Sequence, residues 1–251
     1  LMSVDLAENL VTIGNDAFRN CGLTSLVLKD SLQTIGNNAF YNMSSLTGSL
    51  VIPASVTSLG TSCFYYSRFN SVDIQTTQIT SIPSGFMHFN SQLASINIPS
   101  SVTNIGSNAF TGCVVLSSIN IPNGVTAIGS SAFSGCSVLN NINIPDSVVS
   151  IGNNAFNGCG NTNRTLTTPL NLTTLGDNAF QSARINSLIV NSPSLTTIPV
   201  WCFNGNFLTS LVLPNNINDI KGQAFYGNPI TSITIGANTT VDTTYSQTFG
   251  S

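Results

Sequence analysis

The sequence is poor in charged residues. Asp, Glu, Lys and Arg make up only 6% of its 251 residues, against about 25% in an ordinary soluble domain. The six Lys and Arg residues are scattered and the net charge is −3, so no basic surface is available for nucleic acid or for an anionic membrane. No apolar run approaches the roughly 20 residues that a membrane span needs. We therefore expect neither a nucleic-acid partner nor direct insertion into a membrane.

Groups for catalysis or metal binding are also scarce. The chain has one histidine, His88, whereas nucleophilic catalysis normally pairs a base with a nucleophile. Its nine acidic residues rarely fall at neighbouring positions in a repeated pattern, which leaves no carboxylate pair for glycoside hydrolysis and no oxygen cage for calcium. The prediction is a protein with no enzymatic activity, no metal site and no cofactor.

One motif, Ile-Gly-x-x-Ala-Phe, recurs along the whole chain and is clearest at residues 105–110 and 128–133. Successive copies lie 22 to 24 residues apart. A period this regular predicts a solenoid, here a single elongated domain over residues 1–251 with about ten repeats and partial repeats at both ends. We call the first residue of each motif the anchor and number the coils one to ten by their anchors: Ile13, Ile35, Leu59, Ile82, Ile105, Ile128, Ile151, Leu175, Ile198 and Ile220.

Coil six illustrates the predicted local structure. Ile119 and Ile121 have the two-residue period of a strand, which Pro122 ends because proline donates no ladder hydrogen bond. Val125 and the anchor then recur at a three-residue spacing, which indicates a short helical or irregular return segment. Gly129 marks a bend or a close approach between coils. Stacked coils form a parallel sheet, so the predicted fold class is an α/β repeat solenoid.

Two rows of residues are predicted to lie inside the solenoid. Four of the six cysteines, Cys21, Cys113, Cys136 and Cys159, share one slot eight residues after the anchor, and we expect buried thiols there because parallel side chains rarely reach disulfide geometry. The last residues of the repeated motif form the second row, which is aromatic apart from one methionine: Phe18, Phe40, Phe64, Met87, Phe110, Phe133, Phe156, Phe180, Phe203 and Phe225.

The unit Leu-x-x-Ile-x-Ile-Pro-x-x-Val-x-x-Ile-Gly-x-x-Ala-Phe-x-Gly-Cys resembles the leucine-rich repeat of the BspA-like family, also called the Treponema pallidum type. The resemblance implies a curved, right-handed solenoid with a parallel sheet on its concave face. It also implies a secreted or surface-attached protein that adheres to host proteins or to other cells, and it offers no fixed catalytic or ligand residues. The sequence departs from the pattern at Phe86-Met87, at Pro83 and Pro199 in place of Gly, and at one-residue insertions near Gly48 and Arg164.

The outward positions of the predicted strands form the first candidate binding surface. One column is a ladder of hydroxyl residues, and the next has a polar middle between apolar ends at Val27 and Val51 and at Ile189 and Val212. An uncharged face of this kind suits a macromolecular ligand, and the resemblance implies that this ligand is a host or neighbouring-cell protein. Its predicted contact residues are Asp73, Asn97, Asn120, Asn143 and Thr167.

Exposed aromatic residues on the return side form the second candidate surface. Tyr41, Tyr65 and His88 occupy equivalent positions in successive coils, with Tyr66 adjacent, and Trp201 replaces the small or polar residue of most coils. These rings favour protein or sugar contacts. A glycan-binding module that uses them is therefore one alternative, and a passive spacer that carries another domain outward is a third.

An extracellular or cell-surface location is expected from the resemblance alone. The first residues carry no basic start followed by an apolar run, and Val4-Asp5-Leu6 has the pattern of a strand end. We therefore expect the sequence to begin inside a repeat, without a recognisable signal or anchor. Localisation rests on what the family implies.

Overall fold

The computed structural model describes residues 1–242 and 248–249, apart from the side chain of Asn141. It is a parallel-strand solenoid of about ten coils. Coils three to ten each contribute a face strand of three to seven residues and a two-residue strand that ends at the anchor, whereas in coils one and two the described residues form only the two-residue strand. In chain order the strands are β1 (Thr12–Ile13), β2 (Thr34–Ile35), β3 (Thr47–Ile52), β4 (Ser58–Leu59), β5 (Arg68–Ile74), β6 (Ser81–Ile82), β7 (Ser95–Asn97), β8 (Asn104–Ile105), β9 (Ser118–Asn120), β10 (Ala127–Ile128), β11 (Asn141–Asn143), β12 (Ser150–Ile151), β13 (Arg164–Thr167), β14 (Thr174–Leu175), β15 (Ile185–Ile189), β16 (Thr197–Ile198), β17 (Ser210–Val212), β18 (Asp219–Ile220), β19 (Ser232–Thr234) and β20 (Thr240–Val241).

The two-residue strands pair in parallel with anchor opposite anchor, as Ile105, Ile128 and Ile151 do in coils five to seven. This ladder is continuous from β6 to β14 and breaks between β4 and β6 and again between β14 and β16. At most coils the residue after the anchor donates a backbone hydrogen bond to the anchor of the preceding coil, with Gly129 N 2.8 Å from Ile105 O. Pro83 and Pro199 occupy that position at the two breaks. Because proline has no N–H, the ladder cannot continue there.

The glycine after the anchor is required by the close approach of neighbouring coils. A Cβ added to Gly129 would lie 2.5 Å from Ser107 N and 2.8 Å from Gly106 C, and a Cβ on Gly152 would meet the backbone of coil six at similar distances. These are backbone atoms that cannot move aside. The close-approach prediction for Gly129 is confirmed.

The return segments contain no helix within the described residues, so the α/β class and the helical form of the return were wrong. Alternate N–H groups in coil six donate to coil seven, as Ser131 N does to Asn153 O (2.8 Å) and Phe133 N does to Ala155 O (2.8 Å). The N–H groups between them close turns within the coil, as Ala132 N does to Gly129 O (3.2 Å). In addition, Ser131 has φ 56° and Gly135 has φ 73°, values that interrupt a right-handed helix. Half of the N–H groups therefore hold coils together instead of forming a helix.

The aromatic row is the centre of the core. Phe133 and Phe156 stack with ring centroids 5.2 Å apart and planes at 10°, and the same parallel stacking runs from Phe110 to Phe225. In coil four, Met87 and Phe86 are both fully buried. Phe86 fills the gap edge-on between Phe64 (84°) and Phe110 (89°). The departure at Phe86-Met87 therefore changes the ring geometry and leaves the core continuous.

The slot eight residues after the anchor is buried and satisfies backbone carbonyls of the row. In coils five to seven the donors are thiols, with Cys136 Sγ 3.2 Å from Phe110 O. In coil nine Asn206 takes the slot: its Nδ2 donates to Phe180 O and Phe203 O, and its Oδ1 accepts from two further backbone N–H groups. All six cysteines are free thiols, and burial raises the pKa of Cys159 to about 12.

Candidate functional site

The strand register places the predicted contact residues in columns. Val51, Asp73 and Asn97 lie opposite one another on β3, β5 and β7, Asn120 lies opposite Asn143, and Thr167 lies opposite Ile189. The face strands form separate groups, β3-β5-β7, β9-β11, β13-β15 and β17-β19. The predicted residues therefore share one face but are divided among three of its groups.

The polar middle of this face contains both paired and free amides. Asp73 accepts hydrogen bonds from Asn97 Nδ2 (3.0 Å) and from Gln75 Nε2 (3.1 Å), so its carboxylate is held in place. Asn120 and Asn143 are exposed, and within the described chain their side chains make no hydrogen bond. Two adjacent amides are thus available to a ligand.

A cleft of about 480 Å³ opens in the strand face beside these two amides. It lies where β11 and β13 are not hydrogen-bonded to each other. Asn120, Asn143 and Thr165 line it, and Phe180 of the aromatic row lies at its base. The register shifts between Arg164 and Thr165, next to the insertion identified in the sequence. Gly48 and Ser49 show the same kind of shift at the other insertion.

Arg164 is a cleft residue that sequence analysis did not identify. Its Nη1 donates to Leu139 O at 2.7 Å, and its Nη2 is buried with no hydrogen-bond partner among the described residues. Burial lowers the pKa of its guanidinium. It places a positive charge beside a face that is otherwise nearly uncharged. The insertion was visible in the sequence, but the gap between strands that admits the side chain was not.

The aromatic residues of coils two to four form a continuous ridge on the return side. Tyr41 and Tyr65 stack face to face with centroids 4.3 Å apart, and His88 packs edge-on against Tyr65 at 4.9 Å. Arg19 lies over the other face of Tyr41 at 4.8 Å. Burial lowers the pKa of His88 and raises that of Tyr65. Phe89, which sequence analysis did not single out, joins the ridge at 4.2 Å from His88.

Trp201 is not part of this ridge. It lies in coil nine, in a different slot, with φ 59° where other coils have Asn, Asp, Ser, Gly or Gln. Four coils lie between it and His88, and no ring contact involves it within the described residues. The structure therefore does not bring Trp201 together with Tyr41 and Tyr65.

Residues 1–242 and 248–249 offer neither a metal site nor a membrane-spanning helix. These residues hold no group of three or more His, Cys, Asp or Glu side chains placed to bind a metal ion. They also form no helix long and apolar enough to span a membrane. The remaining candidates are the strand face with its cleft and the aromatic ridge.

Comparison with known proteins places this geometry in context. The family model described as BspA type leucine rich repeat region (6 copies) matches residues 11–140 and 126–250. A leucine-rich repeat protein from Bacteroides ovatus ATCC 8483 has a TM-score of 0.71 at 21% identity, covering 94% of this chain and 73% of that one. The pneumococcal vaccine antigen PcpA has a TM-score of 0.57 at 18% identity, covering 91% and 68%. These likenesses show a shared fold. No curated protein matches the chain in sequence.

Proposed function

Because this chain belongs to the BspA-type leucine-rich repeat family, we propose that it is a non-enzymatic binding protein that works outside the cell or at a cell surface. Members of repeat families of this kind commonly present an extended face to a macromolecular partner. The proposed partner is a protein of a host or of a neighbouring cell. The proposed contact surface is the strand face.

One observation carries the proposal: the exposed amides of Asn120 and Asn143 stand side by side at the edge of the cleft between β11 and β13. Amides that are free of internal hydrogen bonds offer donors and acceptors to a partner without first breaking protein contacts. The apolar floor of the cleft offers burial for a protruding side chain. A polar rim around an apolar centre is the usual anatomy of a protein interface.

The aromatic ridge is less suited to the glycan alternative than the sequence indicated. Sugar stacking needs an open ring face, but one face of Tyr41 is covered by Tyr65 and the other by Arg19. Tyr65 is packed between Tyr41 and His88. The two tyrosines therefore present mainly their edges and hydroxyl groups, which favours the strand face as the principal surface.

The test uses a variant with Asn120→Lys and Asn143→Lys, assayed on a panel of purified extracellular-matrix proteins and on a glycan array. Both positions point to solvent, so the circular dichroism spectrum should be unchanged. The two added charges lie about 5 Å apart on adjacent strands and disfavour docking of a neutral or basic partner. We expect binding to the partner found for the parent to fall at least tenfold.

Two control variants make this experiment decisive. Gln33→Lys with Thr80→Lys adds the same charge at exposed positions before two short strands, and it should bind as the parent does. Tyr41→Ala with Tyr65→Ala should have a smaller effect than the strand-face variant. If the tyrosine variant alone loses binding, the ridge carries recognition. If the parent binds nothing on either panel, the passive-spacer alternative is favoured.

A further inference from the structure

A groove opens next to the aromatic ridge, beside Phe89. Its volume is about 440 Å³, within the 300–1,000 Å³ usual for binding pockets. Tyr66 and Phe89 form one end, and the backbone of Gly112 and Gly135 forms the floor. Arg68, Ser91 and Val114, from three successive coils, form the side.

The groove is apolar and open. Tyr66 is 43% exposed, Phe89 45% and Val114 40%, which is unusual for three large apolar side chains in one place. Phe89 is held by edge-on contact with Tyr65 at 6.0 Å and by His88. A Cβ on Gly112 would lie 2.6 Å from Phe89 Cδ1, so the glycine floor leaves room for this ring.

The backbone at both aromatic residues is strained. Tyr66 has φ 55° and Phe89 has φ 58°, a left-handed conformation that bulky residues rarely adopt. The three coils that follow have glycine at the equivalent position, Gly112, Gly135 and Gly158, with φ between 68° and 73°. Glycine adopts this conformation without cost. The aromatic residues are thus exposed at positions where the fold itself would be served better by glycine, and strain of this kind concentrates at functional sites.

The polar groups of the groove indicate the ligand class. Ser67 Oγ already donates to Phe64 O at 2.9 Å, which leaves Ser91, the Tyr66 hydroxyl and Arg68. Arg68 is exposed, and no carboxylate of the described chain forms an ion pair with it. A sugar would bury several hydroxyl groups against few partners, which is unfavourable. A large apolar side chain next to a carboxylate has what the groove requires.

We infer that this groove docks a segment of a protein partner in which a large apolar residue adjoins Asp or Glu. The apolar side chain lies over Gly112 and Gly135 against Phe89, and the carboxylate pairs with Arg68. Aromatic residues and arginine are the residues most enriched among those that dominate binding energy at interfaces. This site is separate from the cleft between β11 and β13, although Arg68 is the first residue of β5.

The test is selection of random dodecapeptides displayed on phage against the parent protein alone. We expect the enriched peptides to share an apolar residue beside Asp or Glu. A synthetic peptide of that sequence should bind Phe89→Gly or Tyr66→Gly at least tenfold more weakly than the parent. Arg68→Ser, which copies Ser91 of the next coil, should weaken binding severalfold, and added salt should reduce that difference because it screens the ion pair.

Stability measurements separate lost binding from lost folding. Phe89→Gly should unfold at the same temperature as the parent or higher, since it removes strain. Phe207→Ser removes a similarly exposed phenylalanine in coil nine and should keep peptide binding, as should Asn120→Lys on the strand face. The inference is overturned if the peptides enriched by the parent bind Phe89→Gly equally well, if they lack acidic residues, or if Phe89→Gly lowers the unfolding temperature.

Discussion

The slot six residues after the anchor is aromatic in coils two to four and carries amides in coils seven to nine, with Tyr226 in coil ten. Coils two to four place Tyr41, Tyr65 and His88 there, and coils seven to nine place Asn157, Gln181 and Asn204. The amides bond to one another along the column: Asn157 Nδ2 donates to Gln181 Oε1 (3.0 Å), and Gln181 Nε2 donates to Asn204 Oδ1 (3.2 Å). The rings pack against one another instead: Tyr41 and Tyr65 stack face to face at 4.3 Å, and His88 lies edge-on against Tyr65 at 4.9 Å.

The same backbone slot therefore has two different uses, coil-to-coil hydrogen bonding and the packing of aromatic rings. At the amide end Gln181 joins both neighbouring coils through hydrogen bonds, and Asn204 Nδ2 is buried without a partner among the described residues. This end therefore contributes cohesion and offers little to a partner. At the aromatic end the stacked rings leave apolar edges and the groove beside Phe89 exposed. The return side is therefore expected to bind at its N-terminal coils and to hold itself together at its C-terminal coils.

The largest expected effect on stability comes from the aromatic row, which joins the two ends of the solenoid. Phe133 of coil six stacks on Phe110 and Phe156. Phe133→Ala should lower the free energy of unfolding by about 3–5 kcal/mol, because it opens a cavity that both neighbouring coils line. Trp201 fluorescence, which reports the amide end, and far-ultraviolet circular dichroism should show one common transition at a lower midpoint. An unchanged midpoint would contradict the central place of the row, and separate transitions would show that the ends unfold independently.

A smaller loss of stability is expected from substitutions in the buried slot eight residues after the anchor, where the hydrogen-bond donor is asparagine in one coil and cysteine in another. Asn206→Ala leaves Phe180 O and two backbone N–H groups without their partner, while Phe203 O keeps its hydrogen bond from Asn228 Nδ2. The change should cost about 2–4 kcal/mol. Cys136→Ala removes a single weak S–H donor to Phe110 O and should cost about 1 kcal/mol. Asn206→Cys should fall between them. Chemical denaturation of the three variants checks the order, and equal losses for Asn206→Ala and Cys136→Ala would show that the amide end gains no extra cohesion from asparagine.

The regular part of the fold could be predicted because the sequence repeats it. A 22- to 24-residue period with an apolar anchor leaves stacking in register as the simple solution, and the positions of Pro83 and Pro199 mark the two breaks in the short-strand ladder. The helical return could not be excluded, because the three-residue spacing of Val125 and Ile128 also suits a helix. A helix is excluded because alternate N–H groups donate hydrogen bonds to the next coil. These partners are close in space but more than 20 residues away in the sequence.

The candidate sites were predictable only in part, for the same reason. Alternation along the strand was enough to place Asn120 and Asn143 outward. The cleft beside them depends on strands β11 and β13 failing to pair, which no local pattern encodes, so Arg164 was missed. Phe89 did carry a signal, since it stands in a slot that later coils fill with Gly112, Gly135 and Gly158. An aromatic residue in a glycine column indicates either strain or function.

The smallest expected effect is a pH dependence confined to the aromatic end. Burial lowers the pKa of His88, so the folded protein binds its proton less readily than the unfolded chain, whose histidine has a pKa of about 6.5. The stability contribution is therefore complete above about pH 6.5, is lost as the pH falls through the lowered pKa, and is level below it. Because His88 is only half-buried, solvent screening should keep the change below about 1 kcal/mol. The equivalent amides of coils seven to nine do not titrate, so His88→Gln should remove the dependence while it keeps a polar side chain in the slot. Unfolding midpoints between pH 5 and 7.5 test this: the parent should lose about 1–3 °C more than His88→Gln on acidification, and parallel curves would show that the histidine is indifferent to folding.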